Sequence, residues 1–377
     1  MLEIAVFRHN LFRVSEPFIA QQAQQLRRYK PLYIGRMRFG PAPAGAASLA
    51  IEDLGRGALP RIAWQMISRD PRPYLRLLNG RRPALIHAHF GVEGVYALPL
   101  AKRLGVPLVT TFHGFDATLS TAALLASPAW ANYALFRHKL AQQGDLFLCT
   151  SSFIRERVIA LGFPEARTKV HYIGVDSHAI RARDPAEETP MVLSVGRLVE
   201  VKGTEYLIRA FAALAPRRPD VELVIVGEGP LKTKLMALAK TLGVGARVRF
   251  LGSLPHVDVI ALIRKAAMMV LPSVRTSTGR VEGLGMVLLE AAASGVPLIG
   301  SRTGGIPEVV VDGQTGYLTP ERDTAALAAR MNDLLDDRDR RIHLGAQARS
   351  LVERQFDLAA QTAGLEDLYD GLLTHGS

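Results

Sequence analysis

The chain holds a single cysteine, Cys149, among 377 residues. That excludes an intrachain disulfide and any cysteine-rich metal site, and it fits a reducing compartment. Long apolar runs are missing too, since none approaches the roughly 18 consecutive residues of a membrane span. The opening residues MLEIAVFRHN read as a buried strand directly after Met1, with no basic segment followed by an apolar stretch and a small-residue cleavage site. These absences predict a cytoplasmic protein. There is no low-complexity tail or short-period repeat, and the P-loop, protein-kinase and G-x-S-x-G signatures are absent. Acid is scarce in one half only. Residues 1–180 carry 22 Lys and Arg against 11 Asp and Glu, whereas residues 181–377 carry 24 of each, so the net charge of +11 resides in the first half. A half this basic attracts phosphate, on nucleic acid, anionic lipid or a phosphorylated substrate; the alternative is that the arginines serve solubility alone.

What is present is a globular composition, with 48% apolar residues, 33 Gly and 22 Pro, in a chain long enough for two cores at roughly 150 residues per domain. β-rich runs alternate with helix-period runs, the pattern of parallel sheets covered on both faces. The first half predicts strands near 2–7, 31–35, 84–88, 107–112, 145–149 and 168–173, and helices near 16–28, 93–104, 123–143 and 152–161. The pattern restarts after 176–190 (DSHAIRARDPAEETP), a polar stretch with two prolines that reads as a linker. Strands follow near 191–196, 221–226, 247–251 and 267–271, with helices at 204–215, 229–242 and 256–265, and 323–372 reads as almost all helix. The expected organisation is a first domain over 1–175, a linker over 176–190, a second domain over 191–356 and a terminal helical segment over 357–377. In open α/β sheets ligands bind beyond the carboxyl ends of strands, so the loops there are the places to look for chemistry.

Five loops stand out. Strand MVLSV leads into Gly196-Arg197-Leu198 and Glu200-Val201-Lys202-Gly203, delivering Arg197 and Lys202 among glycines as a cradle for a diphosphate or, alternatively, simply to solvent. Gly227-Glu228-Gly229-Pro230 is half of G-x-G-x-x-G, but Lys232 stands where the third Gly belongs, which disfavours a dehydrogenase-type dinucleotide site. The densest stretch is 271–308, LPSVRTSTGRVEGLGMVLLEAAASGVPLIGSRTGGIPE. There Glu282 precedes a helix expected from about Leu284, and Glu290 lies about 80° further round, so both can border one cleft. Gly283 and Gly285 leave that helix N-terminus bare for an anion. Glu282 is either a ligand for sugar hydroxyls or a first-turn acid, while Glu290, in an apolar run where an unpaired acid is costly, suits the two hydroxyls of a ribose. In the first half, His87-Ala88-His89-Phe90-Gly91 and Thr111-Phe112-His113-Gly114-Phe115-Asp116 end two predicted strands. No further ligand cluster stands at metal spacing, so no metal site is expected, and His113 is open between a structural imidazole and a substrate contact. Asp337-Arg338-Asp339 imitates a metal-binding triplet but lies in a charged helical stretch and reads as a solvated face.

Together, FHGFD at 112–116, VGRLVEVKG at 195–203, VGEGP at 226–230 and EGLGMVLLE at 282–290, followed by ASGVPLIGSRTGGIPEVVVDGQTGYL, resemble glycosyltransferase family 4 over nearly the whole chain. The resemblance implies an α/β protein of the GT-B fold: two facing, doubly wound Rossmann-like domains, acceptor-binding then donor-binding, with a C-terminal helix crossing back to the first. It implies a retaining, metal-independent hexosyltransferase without a cofactor, whose catalytic set is His113, Glu282, Arg197 and Lys202. Arg197 and Lys202 would bind the donor diphosphate, Glu290 the ribose and Glu282 the transferred sugar. Backbone groups of Gly283, Leu284 and Gly285 would hold the distal phosphate and sugar, and His113 would contact the sugar near its anomeric carbon. Leu254 would face the base, and Glu228 and Gly229 would line the same pocket.

In place of the Gly-Gly pair common among relatives, the first loop reads His9-Asn10-Leu11-Phe12-Arg13-Val14-Ser15-Glu16-Pro17-Phe18. With HAHFG, this is similar to the branch that builds bacterial exopolysaccharide and lipopolysaccharide. It makes Arg13 and Ser15, together with Asp116, further candidate contacts. The implied donor is a nucleoside-diphosphate sugar, UDP-linked first and GDP-mannose second, and the implied acceptor is a sugar on polyprenyl diphosphate. Nucleic acid is not an implied partner. The protein would sit peripherally on the anionic inner face of the cell membrane, through clusters such as Arg27-Arg28-Lys30 and Arg69-Arg72-Arg76-Arg81-Arg82. Two other readings stand beside this one. A nucleotide-sugar epimerase of the same architecture needs acid/base carboxylates at the anomeric centre and no acceptor, and a non-catalytic nucleotide-sugar-binding subunit needs only the fold.

Overall fold

A computed structural model describes residues 1–13 and 15–374. The chain forms two units, one of residues 1–174 together with the segment from Leu358 onward, the other of residues 175–357. In the first unit seven parallel strands lie in the spatial order Ala47–Ala50, Tyr29–Gly35, Leu2–Phe7, Ile86–His89, Leu108–Phe112, Leu146–Cys149 and Thr168–Val170. In the second, six parallel strands lie in the order Val248–Gly252, Glu222–Val226, Thr189–Val195, Ala266–Leu271, Leu298–Ser301 and Gly316–Thr319. Each sheet starts at a central strand, winds outward, and then returns past its start to wind the other way. Between the first strand and the strand after the return, the flanking loops diverge and leave a crevice at the carboxyl ends, where doubly wound sheets bind ligands.

Alternation explains how both faces are covered. Ala5 and Phe7 of Leu2–Phe7 pack with Leu32, Ile34 and, from helix Gly91–Leu104, Val92, Val95 and Leu100. Ile4 and Val6 point the other way, into a cluster with Ile19 of helix Pro17–Gln24 and with Leu365 and Tyr369 of helix Leu358–Thr374. The terminal helix thus completes the second face of the first sheet. Among the described residues no helix is long and apolar enough to cross a membrane.

Several expectations are corrected. The helix expected over 123–143 is two, Thr121–Leu125 and Ala131–Gln143, because Pro128 between them lacks an N–H and disfavours helix for its predecessor. The helix expected to reach residue 28 ends at Gln24, and the amides of Arg27 and Arg28 donate instead to Oε1 of buried Glu366, at 2.8 and 2.7 Å. Residues 176–190 are not a free linker. They belong to the second unit, where Arg183 donates its amide to the Ser294 carbonyl at 2.8 Å, and Glu188 is held by Arg183 at 2.6 Å and by Arg341. The charged run after residue 323 is interrupted at Asp337, whose Oδ1 caps helix Arg338–Gln355 by accepting from the Arg340 amide at 2.9 Å. The strands at 47–50, 298–301 and 316–319 and the helices Ala58–Ser68 and Arg72–Leu78 have no counterpart among the sequence expectations; four-residue strands are too short for their periodicity to declare itself.

Glu366 is one polar anchor of the terminal helix, beside the Tyr369 bond to His87 and the Arg28 pairs with Asp367 and Asp370. Glu366→Ala leaves two backbone donors without an acceptor, at a cost of about 1–3 kcal/mol. Both tryptophans, Trp64 and Trp130, lie in the first unit, so intrinsic fluorescence follows that unit alone. The expected result is a melting point lowered by about 2–10 °C in Glu366→Ala and by less in Glu366→Gln, which keeps an oxygen acceptor; an unchanged Glu366→Ala melt would show that docking does not depend on the Glu366 bonds.

Candidate active site

In the second unit the central strand Thr189–Val195 ends at Gly196 and Arg197, and a short 3-10 turn, Glu200–Lys202, follows. Gly203 closes that turn at φ +64°, and a Cβ there would lie 1.8 Å from the Pro272 carbonyl oxygen. Only glycine permits both the left-handed conformation and this approach. With the Val274 amide donating to the Val201 carbonyl at 2.9 Å, the Lys202 turn is locked against the loop that follows Ala266–Leu271. Lys202 Nζ then meets Glu282 Oε2 at 2.6 Å, with buried Ser273 Oγ 3.5 Å from the same oxygen. Behind Glu282, Gly304 at φ +59° leaves no room for a Cβ, which would sit 2.1 Å from the Glu282 carbonyl oxygen; the Gly305 amide donates to that oxygen at 3.2 Å.

Arg280, two residues before Glu282, is half-buried, and burial followed by the charge of Arg197 holds its guanidinium below the usual arginine range. Glu282 is thus paired with Lys202, and half-buried Arg280 feels the opposing charges of exposed Arg197 and of Glu282. Sequence reasoning missed Arg280. The available signal was the i, i+2 spacing of R-V-E, which in extended chain puts both side chains on one side.

The helix after this loop is Met286–Ala293, so Glu282 lies outside it and the 80° relation to Glu290 does not apply. Gly285 is its N-cap at φ +88° and carries no side chain to satisfy the first amides; Gly283, Leu284 and Gly285 are all buried. Glu290, on the helix, is not unpaired. His256 Nε2 lies 2.9 Å from its Oε1 and the pairing raises the His256 pKa. Leu254 is half-buried in the loop just ahead of His256. Glu228 is exposed and paired with Lys232 at 2.6 Å, while Gly229 presses on the Leu198 carbonyl, 2.4 Å from where its Cβ would be.

The first unit carries a second constellation at its own switch point. Arg8, at the end of Leu2–Phe7, is buried, donates to both Glu16 oxygens at 2.9 Å, pairs with buried Glu93, and lies over the Phe90 ring at 4.5 Å. His113 Nε2 is 3.2 Å from His89 Nδ1 and its Nδ1 is buried without a partner, so one nitrogen is oriented and the other left open. His87 has both nitrogens engaged, by Tyr369 OH and Thr111 Oγ1, each at 2.6 Å, and is structural. Asp116 is fully committed to backbone: Oδ2 accepts from Gly91 at 2.8 Å and Oδ1 from Gly114 and His113 at 2.9 and 3.2 Å. It shapes the His113 loop and has no oxygen to spare. Arg13 is exposed over Phe39 and Ser15 is exposed in a turn. No group of three or more His, Cys, Asp or Glu among the described residues is placed to hold a metal ion. Sequence reasoning missed the Arg8, Glu16 and Glu93 network, whose one local sign was an acid in the otherwise apolar start of helix Gly91–Leu104.

Residues 22–179 match the family described as Glycosyltransferase Family 4 and residues 176–351 the one described as Glycosyl transferases group 1. A glycogen synthase of Mycobacterium tuberculosis is 32% identical over 290 residues, 76% of this chain and 69% of its own length. The chain belongs to glycosyltransferase family 4. Other family 4 relatives are a GDP-mannose-dependent alpha-(1-6)-phosphatidylinositol monomannoside mannosyltransferase of Mycolicibacterium smegmatis, 33% identical over 75% of each chain, and the putative colanic acid biosynthesis glycosyltransferase WcaL of Escherichia coli, 33% identical over 76% of this chain and 70% of its own. HepE of Anabaena, solved with UDP and glucose, matches 98% of this chain and 100% of its own with a TM-score of 0.77 at 20% identity. That likeness is one of fold, the GT-B fold of two Rossmann-like units.

The electrostatics of this family 4 chain give a pH signature. Burial holds His9, His87, His89 and His113 well below the ordinary histidine range. Unfolded, they take up protons near pH 6.5; folded, they do not, so their contribution is present above that pH and is lost as pH falls. The urea midpoint followed by tryptophan fluorescence is expected to be lower at pH 5 than at pH 7, and an equal or higher midpoint at pH 5 would contradict the neutral cluster. His256 has the opposite sign: its contribution is present below pH 6.5 and is lost as pH rises through its raised value. NMR titration should find that value brought back down in Glu290→Gln.

Proposed function

We propose that this glycosyltransferase moves a hexose, with retention and without a metal, from a nucleoside-diphosphate sugar to a lipid-linked saccharide acceptor in exopolysaccharide or lipopolysaccharide assembly. The observation that carries the donor half of this reading is the Lys202–Glu282 pair locked at the switch point of the second unit, with Arg280 within reach of the charges of Arg197 and Glu282. A departing diphosphate develops negative charge, and preorganised cations with a bare helix N-terminus stabilise it where it forms. Arg197 and Lys202 hold the diphosphate, aided by the backbone of Gly283, Leu284 and Gly285. Glu290 accepts the ribose hydroxyls, exchanging its bond to His256 for them. Leu254 faces the base, with Glu228 and Gly229 lining the pocket. Glu282, oriented by Lys202, binds the sugar and is not assigned as a nucleophile. Retention then comes from attack on the front face, with the leaving phosphate taking the acceptor proton. His113, neutral and with Nδ1 unpartnered, serves the sugar near its anomeric carbon.

The HepE complex with UDP and glucose favours a UDP-sugar, and the name of the mycobacterial mannosyltransferase keeps GDP-mannose as the second donor. That same relative, a phosphatidylinositol monomannoside mannosyltransferase, and the colanic acid relative support a lipid-linked acceptor and polysaccharide assembly. A peripheral position at the anionic inner membrane follows from such an acceptor.

A thermal-shift screen with UDP-, GDP- and ADP-sugars tests the donor. The correct one, at 100 times its dissociation constant, adds about 2.7 kcal/mol, and stabilisation by none of the three would sink the reading. Lys202→Ala is expected to slow transfer by about 10²–10³-fold, Glu290→Gln to weaken donor binding, and EDTA to leave turnover unchanged. Restoration by magnesium of an EDTA-abolished activity would move charge neutralisation from Arg197 and Lys202 to a metal.

A further inference from the structure

Helix Ala58–Ser68 is built inside out. Surface helices ordinarily bury their apolar stripe and show polar residues to water. Here the buried face holds Ile62 and Gln65, and Gln65 Oε1 accepts from buried Arg36 Nε at 2.5 Å. Placed at 100° per residue, Met66, Leu59, Ala63, Ile67, Pro60 and Trp64 fill one continuous outward arc of about 160°, and all six are exposed. Leu59 is 72%, Ile67 74% and Trp64 55% exposed, and no charged residue interrupts the arc. The neighbouring helix extends it: Asn132 Nδ2 donates to the Met66 and Ile67 carbonyls at 2.7 and 3.1 Å, and Leu135, one turn on from Asn132, is 56% exposed.

Arginines lie beside this face together with one acid: Trp64 Nε1 donates to Asp70 Oδ2 at 3.2 Å, and Asp70 pairs with Arg72 at 2.7 Å. Arg56 is exposed just ahead of the helix, and Arg61 on it bonds only to carbonyl oxygens. Helix Arg72–Leu78 follows directly and forms, with Lys102 and Arg103, a groove lined by Arg72 and Leu75. Arg76, Lys102 and Arg103 are exposed, and none is in an ion pair among the described residues. The cluster around Arg28 is different, since its guanidinium is engaged by Glu366, Asp367 and Asp370.

We infer that the outer face of Ala58–Ser68 is a docking surface for an anionic lipid bilayer, its apolar arc entering the headgroup–acyl boundary and its flanking cations meeting lipid phosphates. An apolar strip with Trp at its edge and cations on its margin matches the chemistry of that boundary, whereas a second copy of this chain would bring the same cations against themselves. The inference deepens the lipid-linked acceptor of the proposed function and rests on that reading for its purpose, while its measurement needs neither donor nor acceptor.

In Trp130→Phe protein, Trp64 is the sole indole and reports from the arc itself. With phosphatidylglycerol vesicles its emission is expected to shift to the blue, less so with phosphatidylcholine vesicles or in high salt. Leu59→Ser with Ile67→Ser is expected to weaken vesicle partitioning about 100-fold, roughly tenfold for each side chain. Both positions are exposed, so an unchanged melt confirms that the variant folds. Vesicle binding equal to that of the parent in the double variant, or binding with no Trp64 shift, overturns the inference in favour of charge alone. Failure to bind vesicles also overturns it, and a concentration-dependent dimer lost in the double variant assigns the face to a second copy. Docking without transfer to any lipid-linked acceptor supports the surface while removing the proposed acceptor.

Discussion

The cation site of the second unit depends on two backbone contacts that admit no side chain. The carbonyl of Pro272 occupies the space of a Gly203 Cβ, and the carbonyl of Glu282 occupies that of a Gly304 Cβ. Through the first, the turn bearing Lys202 is held against the loop after the neighbouring strand; through the second, the Glu282 backbone is fixed from behind. A methyl group at either glycine forces the loops apart and separates Lys202 from Glu282. The strand order makes the contact available at all, because it places the ends of Thr189–Val195 and Ala266–Leu271 side by side.

The two units solve the problem of charge in opposite ways. At the switch point of the first, Arg8 is buried but matched by Glu16 and Glu93, and the imidazoles beside it are held neutral by desolvation. Beside them Arg36 is buried and bonded to Gln65 rather than to an acid, and His9 Nε2, Glu93 Oε2 and His113 Nδ1 are buried without a partner. At the switch point of the second, Lys202 is paired with Glu282, while Arg280 feels the charges of both Arg197 and Glu282. Neutral imidazoles with an open nitrogen suit a sugar, and preorganised cations suit a diphosphate.

The arginine surplus of the first half divides along the same line. Arg8, Arg28 and Arg38 are consumed by internal acids, and Arg69 lies 3.4 Å over the Phe136 ring. Net charge therefore overstates the positive surface. Among the described residues, exposed Arg76, Lys102 and Arg103 are in no ion pair, and Arg56 stands exposed just ahead of helix Ala58–Ser68, whose apolar arc faces outward.

The sequence alone determined the alternation of parallel strands and helices, the two-part organisation, the family, and most candidate donor residues, because buried strands and glycine-bearing loops are written in contiguous residues. Arg197, Lys202 and Glu282 were legible in that way. The partner of Glu290 was not, since His256 lies 34 residues away, nor was the Arg8–Glu93 pair, separated by 85. The helix Ala58–Ser68 is the sharpest case: spacing gives an apolar arc, but only packing decides which arc faces the core, and here buried Arg36 claimed Gln65 and turned the apolar side to solvent. Such outcomes belong to tertiary structure because a side chain's surroundings are set by whichever distant element packs against it, and local sequence carries no record of that choice.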